Sequence, residues 1–239
     1  MVARRQLGGN GCIDAQFLES PEWSALTESE AKMLDKAIVC RKHELGDVIF
    51  FYEGDACNGT YFIKSGLVGI RKADIEGDST LLKIAQPGDT LGYRPLLAEQ
   101  NHCVSAEVLK PCHICFINRA TVRLLMRGNP TLGLNFLKRA AIELGEFEER
   151  FHESVTLSVR ARFAHLLIAL QEKYGQARDD GSLVLELPVS RADLAAMLGV
   201  RRESVSRVIH ELETEGLTHF IDRSVQVPDL DSLINEFTN

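Results

Sequence analysis

The chain has 239 residues, of which 45% are apolar, and a formal net charge of −7. That length suggests two domains with sizeable cores, and the acidic total excludes a uniformly basic nucleic-acid binder while leaving room for local basic patches. No run of 18 or more apolar residues occurs, so no membrane span and no membrane partner are expected.

The opening stretch MVARRQLGGNG lacks the apolar core of a secretory signal. The chain is therefore expected in the cytoplasm, where its six cysteines read as thiols, or occasionally metal ligands, more readily than as disulfides. Residues 1–26 are expected to be a flexible N-terminal segment, and the first dozen, rich in Gly and Arg, to be loosely attached. Residues 27–38, TESEAKMLDKAI, predict a short amphipathic helix, with Thr27 and Glu30 in capping-box spacing.

From Arg41 to Asn118 the texture changes to short apolar or alternating segments: DVIFFYEGD, GTYFIKSGLVGIRKAD, STLLKIAQPGDTLGY and CVSAEVLKPCHICFIN. Turn signals recur at Glu53-Gly54-Asp55, Ser65-Gly66, Glu76-Gly77-Asp78 and Pro87-Gly88-Asp89. Short strands at this spacing predict an antiparallel β-sandwich or jelly roll over residues 27–128.

Helix returns after Asn118 with RATVRLLMRG, ending at Gly128. Asn129 caps a second helix that opens on Pro130, a position where proline is tolerated, and runs to about Thr156. Along it Leu137, Ala140, Leu144, Phe147 and Phe151 recur at spacings of three and four. That pattern reads as a dimerisation seam of two heptads, or as a single helix lying on its own domain, and the Glu-rich flank of Glu143, Glu146, Glu148 and Glu149 fits either. A helix over 159–174 opens the last domain, 157–239. A polar loop (175–182), a strand (183–187), two helices and a small hairpin in THFIDRSVQVPD complete it.

Residues 188–216 carry the strongest functional signal. Ser190 is placed to cap a helix over Arg191–Leu198, with Asp193 in its first turn and apolar Leu194, Ala195, Met197 and Leu198. Gly199 breaks it. A second helix over Arg202–Glu215 buries Val205, Val208, Ile209 and Leu212 at helical spacing. Arg201, Arg202, Glu203, Ser206 and Arg207 lie at the exposed start of that helix. This is helix-turn-helix spacing, in which the second helix enters the DNA major groove; arginine reads guanine and a carboxylate accepts from the cytosine amino group. Ser190, Arg191, Arg201, Arg202, Glu203, Ser206 and Arg207 are the candidate DNA-contacting residues. An ordinary helical hairpin with a charged solvated face is the other reading of the same stretch.

The order of elements, with SGLVGIRKAD, AQPGDTLGY and SRADLAAMLGVRRESVSRVIHELETEGL in sequence, resembles the CRP/FNR superfamily of bacterial transcription regulators. The resemblance spans residues 20–235. It implies an α+β architecture of an N-terminal antiparallel β-sandwich sensor, a long dimerisation helix (129–156) and a C-terminal winged helix-turn-helix. Glu203 and Arg207 match the family's base-reading Glu and Arg, Ser206 the serine of the FNR-type pattern E-x-x-S-R, and Arg202 an arginine of the CRP type. The implied site is a palindrome of TTGA-like or TGTGA-like half-sites. The implied partners are double-stranded DNA, RNA polymerase and a second copy of the chain.

The same resemblance places an effector pocket at Gly92, Tyr93, Arg94, Leu96, Cys103 and Ser105. Cyclic-AMP-binding members use a Glu for the ribose hydroxyl and an Arg for the cyclic phosphate. Here Tyr93 stands at the first position and Val104, or Cys103 with a shifted gap, at the second, so a buried phosphate finds no cation. Arg94 is the one cation in the cassette. FNR-type members hold a [4Fe-4S] cluster, usually on four thiolates. Cys115 and Cys12 match two such positions, but the second cysteine expected in the N-terminal pair is Ala15. Cys112 and Cys115 form a C-x-x-C on a predicted strand, where they face opposite sides; Cys40, Cys57, Cys112 and Cys115 individually read as buried small hydrophobes. Haem on His102 and Cys103 is a third possibility, without a C-x-x-C-H motif. No cofactor is favoured over the others.

No G-x-S-x-G, Walker A, H-E-x-x-H or dinucleotide fingerprint occurs, so no catalytic residues are assigned. The sequence thus predicts a dimeric DNA-binding regulator that does not depend on cyclic AMP. The alternatives are a ligand-binding module acting on a partner protein, and an FNR-like redox or oxygen sensor with an atypical iron–sulfur site.

Overall fold

A computed structural model describes residues 11–50, 55–73, 79–178 and 181–238. The turn signals at Glu53-Gly54 and Glu76-Gly77-Asp78, and the first ten residues, lie outside the described residues. The chain divides into two compact units. One runs up to Lys72 and resumes over Lys83–Gly145; the other takes Ala73–Leu82 and Glu146–Asn239.

Along the chain up to Thr156, with β4 and α5 each crossing a unit boundary, α1 (Ala15–Glu19) and α2 (Glu28–Ala37) precede the strands β1 (Val39–His43), β2 (Val48–Phe50), β3 (Gly59–Ala73), β4 (Ser79–Ala85) and β5 (Thr90–Leu91). Then come α3 (Tyr93–Leu97), β6 (Ser105–Asn118), α4 (Arg119–Gly128) and α5 (Pro130–Thr156). The capping box forms as its spacing predicts. The Thr27 hydroxyl accepts from the Glu30 N–H at 3.3 Å, and the Glu30 carboxylate accepts from the Thr27 N–H at 2.9 Å.

The strands make one antiparallel six-stranded sheet in the order β1-β6-β3-β4, with β2 added to β6 and β5 to β3. The long strands β3 and β6 pair from Gly59 opposite Asn118 to Arg71 opposite Ser105, with register shifts between Ile63 and Val68. Ser65-Gly66, expected as a turn between strands, is a bulge within β3. Gly66 has φ of 87°, and a Cβ there would meet the Pro111 carbonyl oxygen at 2.3 Å.

Two cores flank this sheet. Phe50, Ile63, Val68, Ile70, Leu91, Val108 and Cys112 pack in one. Phe62, Cys115 and Ile117 pack in the other against Leu34 of α2, Val122 and Leu125 of α4, and Leu132 and Phe136 of α5. Cys112 and Cys115 thus face different cores, as strand alternation requires.

The expectation of a flexible 1–26 segment is corrected for residues 11–26. Phe17 and Trp23 are fully buried, Trp23 stacks edge-on against Phe136 at 5.1 Å, and its indole N–H donates to Thr90 Oγ1 at 3.0 Å. Aromatic area of this size, once covered, holds a segment in place. The cysteines also depart from expectation: Cys40 and Cys115 are joined as a disulfide.

The second unit contains α6 (Val159–Tyr174), β7 (Gly175–Ala177), β8 (Leu183–Glu186), α7 (Arg191–Leu198), α8 (Arg202–Thr214), β9 (His219–Ile221), β10 (Ser224–Val227) and α9 (Leu230–Thr238). Its sheet runs β7-β8-β10-β9. The polar loop expected over 175–182 therefore begins as a strand, and β9 with β10 forms the predicted wing. Arg160 on α6 ties the unit together, donating to Glu215 beyond α8 and to Glu236 on α9. No helix among the described residues is long and apolar enough to cross a membrane.

Candidate nucleic-acid interface and sensor cavity

The α7–α8 pair is built by local chemistry. The Ser190 hydroxyl accepts from the Asp193 N–H at 3.2 Å, and the Asp193 carboxylate accepts from the Ser190 N–H at 3.0 Å, closing a capping box at the start of α7. Gly199 ends α7 at φ of 64°, in the left-handed region that favours glycine. Only Val200 and Arg201 then separate it from α8. Val205, Val208, Ile209 and Leu212 turn inward.

That phase leaves Arg201, Arg202, Glu203, Ser206 and Arg207 exposed together, with His210 continuing the same face. His210 is absent from the sequence-derived set, although its place four residues after Ser206 puts it on that face. Three arginines against one glutamate give a basic face on an acidic chain. Ser190 and Arg191 have other work. The Ser190 hydroxyl donates to Asp193 at 2.8 Å, and the Arg191 guanidinium lies 5.4 Å over the Phe220 ring of β9. Arg191 therefore braces α7 against the wing.

On α5, Leu137, Leu144, Phe147 and Phe151 are exposed. Ala140 is not among them: it packs against the core that holds Phe136. Ala141 takes its place on the outer face, and Leu134 and Val155 extend the stripe at both ends.

A cavity beside the sheet of the first unit is lined by Phe50, Ile70, Lys83, Thr90, Leu91, Gly92, Tyr93, Arg94, Pro95, His102, Cys103, Val104 and Glu143. Gly92, Tyr93, Arg94 and Cys103 are there as the sequence leads one to expect. Leu96 instead points into the helix-side core, and Ser105 lies on β6 opposite Arg71. Glu143, expected only as part of a charged flank, is the missed residue that organises the cavity. It accepts from the Tyr93 hydroxyl and from Lys83 Nζ, each at 2.7 Å, and from Arg139 Nε at 3.3 Å. Burial alone would raise the Glu143 carboxyl, but Lys83, Tyr93 and Arg139 hold it below its ordinary range. Burial and the Glu143 charge push the Tyr93 phenol upward, so it stays a donor.

The space left is about 70 Å³, room for a few waters. Ligand pockets start near 300 Å³. Tyr93 and Lys83 in its lining, and Arg139 behind them, are all engaged by Glu143, and Arg94 lies exposed at its edge. Haem does not fit this cavity. His102 is buried and stacked on Phe50 at 3.9 Å between ring centroids, the cavity is far smaller than a macrocycle, and Cys103 is exposed.

The thiol chemistry lies elsewhere in the first unit. Cys12, Cys40 and Cys115 bring their sulfurs within 4.8 Å of one another. Cys12 and Cys115 are the two sequence candidates for iron–sulfur ligation; Cys40 is the addition. The set does not fit a [4Fe-4S] cluster. Three thiols gather instead of the usual four, their sulfurs crowd one point, and Cys57, Cys103 and Cys112 lie outside the group.

Comparison with known proteins agrees with this architecture. A family model described as a Crp-like helix-turn-helix domain matches residues 161–236, and one described as a cyclic nucleotide-binding domain matches 40–129. The chain is 27% identical over 208 residues to the anaerobic regulatory protein of Bacillus subtilis (strain 168), covering 87% of each. It is 26% identical over 208 residues to the cyclic AMP receptor protein of Thermus thermophilus, covering 87% of this chain and 92% of that one. Among solved structures, a transcriptional regulator of the CRP/FNR family from Thermus thermophilus, TTHA1359, is similar with a TM-score of 0.70 at 25% identity, over 84% of this chain and 99% of that one.

Proposed function

Because the chain belongs to the CRP/FNR superfamily of transcription regulators, which are DNA-binding proteins and not enzymes, we propose that it acts as a homodimer on palindromic sites. The observation that carries this reading is the exposed face of α8, where Arg201, Arg202, Glu203, Ser206 and Arg207 stand together. Two such faces related by a two-fold axis suit two half-sites one helical turn apart. Glu203 and Arg207 read base edges, toward a TTGA-like or TGTGA-like half-site, while Arg201 and Arg202 hold phosphates. The exposed apolar stripe of α5 supplies the dimer seam, and RNA polymerase is the downstream partner.

The test is selection of genomic fragments by the purified protein at two salt concentrations. A subset of fragments sharing an inverted repeat is expected, with affinity falling as salt rises. Retention without sequence preference would mean that α8 does not read bases.

The regulator does not depend on cyclic AMP. Tyr93 is spent on Glu143, Lys83 and Arg139 are paired with the same carboxylate, and Arg94 is an exposed side chain at the cavity edge. Adding cyclic AMP is expected to leave the thermal midpoint and the DNA affinity unchanged, because a ligand that does not bind the native state cannot stabilise it. Calorimetric binding at micromolar concentration would show that Arg94, or another arginine, had taken over the phosphate.

A further inference from the structure

Cys12, Cys40 and Cys115 come from three separate parts of the chain and meet at one place. Cys40 on β1 and Cys115 on β6 are register partners, joined as a disulfide. Cys12, in the segment before α1, has its sulfur within 4.8 Å of both. Beside them stands Asp35 of α2, only 2% exposed. Its Oδ1 accepts from the backbone N–H groups of Cys12 and Ile13, each at 3.1 Å. Its Oδ2 has no hydrogen-bond partner among the described residues. A buried carboxylate oxygen without a partner is costly; Asp35 lies outside the three-sulfur group itself, and a cation held next to Cys12, whose backbone Asp35 grips, offsets part of that cost through space.

We propose that, once the disulfide is reduced, Cys12, Cys40 and Cys115 bind a single zinc ion as three thiolates, braced by Asp35. Zinc–sulfur bonds of about 2.3 Å in a tetrahedron set the sulfurs about 3.8 Å apart, a spacing that three sulfurs already within 4.8 Å reach with small side-chain movements. A multi-iron cluster spreads its thiolates over separate metals and does not suit this crowding. Lys64 lies against the same turn, donating to the Cys12 carbonyl at 3.1 Å and pairing with Asp14 at 2.8 Å. Its charge offsets the excess negative charge of three thiolates. Cys40 is half-buried and gives the ion a way in.

The chemistry balances. A dithiol reductant supplies two electrons and two protons: its thiolate attacks one sulfur of the disulfide, its second thiol resolves the mixed disulfide, and Cys40 and Cys115 emerge as thiols while the reductant becomes the disulfide. Zinc, keeping one of its own waters as the fourth ligand, then forms three S–Zn bonds and displaces three protons to solvent. The oxidised form ties β1 to β6 alone; the zinc form also ties the segment before α1 to that sheet. The packing of this segment is thereby coupled to thiol state.

The test uses the full chain, reduced with a phosphine and desalted under anaerobic conditions, with Co²⁺ as the optical probe. One Co²⁺ per chain is expected, with thiolate-to-cobalt charge-transfer bands and tetrahedral d–d bands that Zn²⁺ abolishes. Cys12→Ser and Cys40→Ala are expected to lower affinity by more than about 100-fold and Asp35→Asn by about 10–100-fold, whereas Cys57→Ser leaves it unchanged. Circular dichroism identifies any variant that fails to fold, and Cys12→Ser, which lies outside the sheet, is the deciding one. Absence of the bands in the reduced protein overturns the proposal. So does full affinity in Cys12→Ser, or reconstitution with iron and sulfide to four irons per chain.

Discussion

Leu144→Glu and Phe147→Glu are each expected to turn a dimer into monomers while leaving the protomer folded. Both side chains are 58% exposed in the single chain, so the protomer's own core does not need them. In a two-fold seam the same residue of each copy meets the partner's apolar face. A carboxylate placed there is buried without a cation, at a cost of about 3 kcal/mol or more. At about 1.4 kcal/mol per decade, that weakens dimerisation by at least about 100-fold. Sedimentation equilibrium reads the change directly, and circular dichroism separates it from unfolding. A folded dimer of undiminished affinity would rule out this face of α5 as the seam.

The second large effect is expected at the base-reading face. Arg207→Ala and Glu203→Ala should each weaken binding to the cognate palindrome by about 1–3 kcal/mol and broaden the preferred base at one position per half-site. Arg201→Ala is expected to differ in kind. It should weaken all sequences about equally and lower the salt dependence by about one counterion. Arg191→Ala should act through stability, since its guanidinium rests on Phe220 and not on the exposed face. Binding selections with the four variants distinguish these behaviours. An unchanged base preference in both Arg207→Ala and Glu203→Ala would remove them from direct readout.

Several features are legible in the sequence because their causes are local. The capping boxes at Thr27 and Ser190, the left-handed Gly199, and the helical phase of Val205, Val208, Ile209 and Leu212 each depend on residues within a few positions of one another. The exposed face of α8 follows from that phase, and His210 extends it by one turn beyond the residues that the motif itself singles out. Strand alternation likewise separates Cys112 from Cys115.

What the sequence leaves open depends on contacts between distant segments. Spacing alone allows Ala140 to join Leu137 and Leu144, but the core at Phe136 takes Ala140 and sets the helix rotation so that Ala141 faces out. A run of glutamates reads as a solvated flank, yet Tyr93 and Lys83, far along the chain, both donate to Glu143 and draw it into the lining of the cavity. Residues 11–26 lack a strong period, and they are ordered because Phe17 and Trp23 find aromatic partners far along the chain. The sequence by itself thus determined the helix-turn-helix and the order of strand-rich segment, long helix and C-terminal helical domain, since short-range hydrogen bonding and periodic burial dictate them, but not α1 or β7. Only the tertiary structure decided which helix face is free, that Glu143 joins the cavity, and that the sulfurs of Cys12, Cys40 and Cys115 come together, because each of these rests on packing between residues that no local spacing brings together.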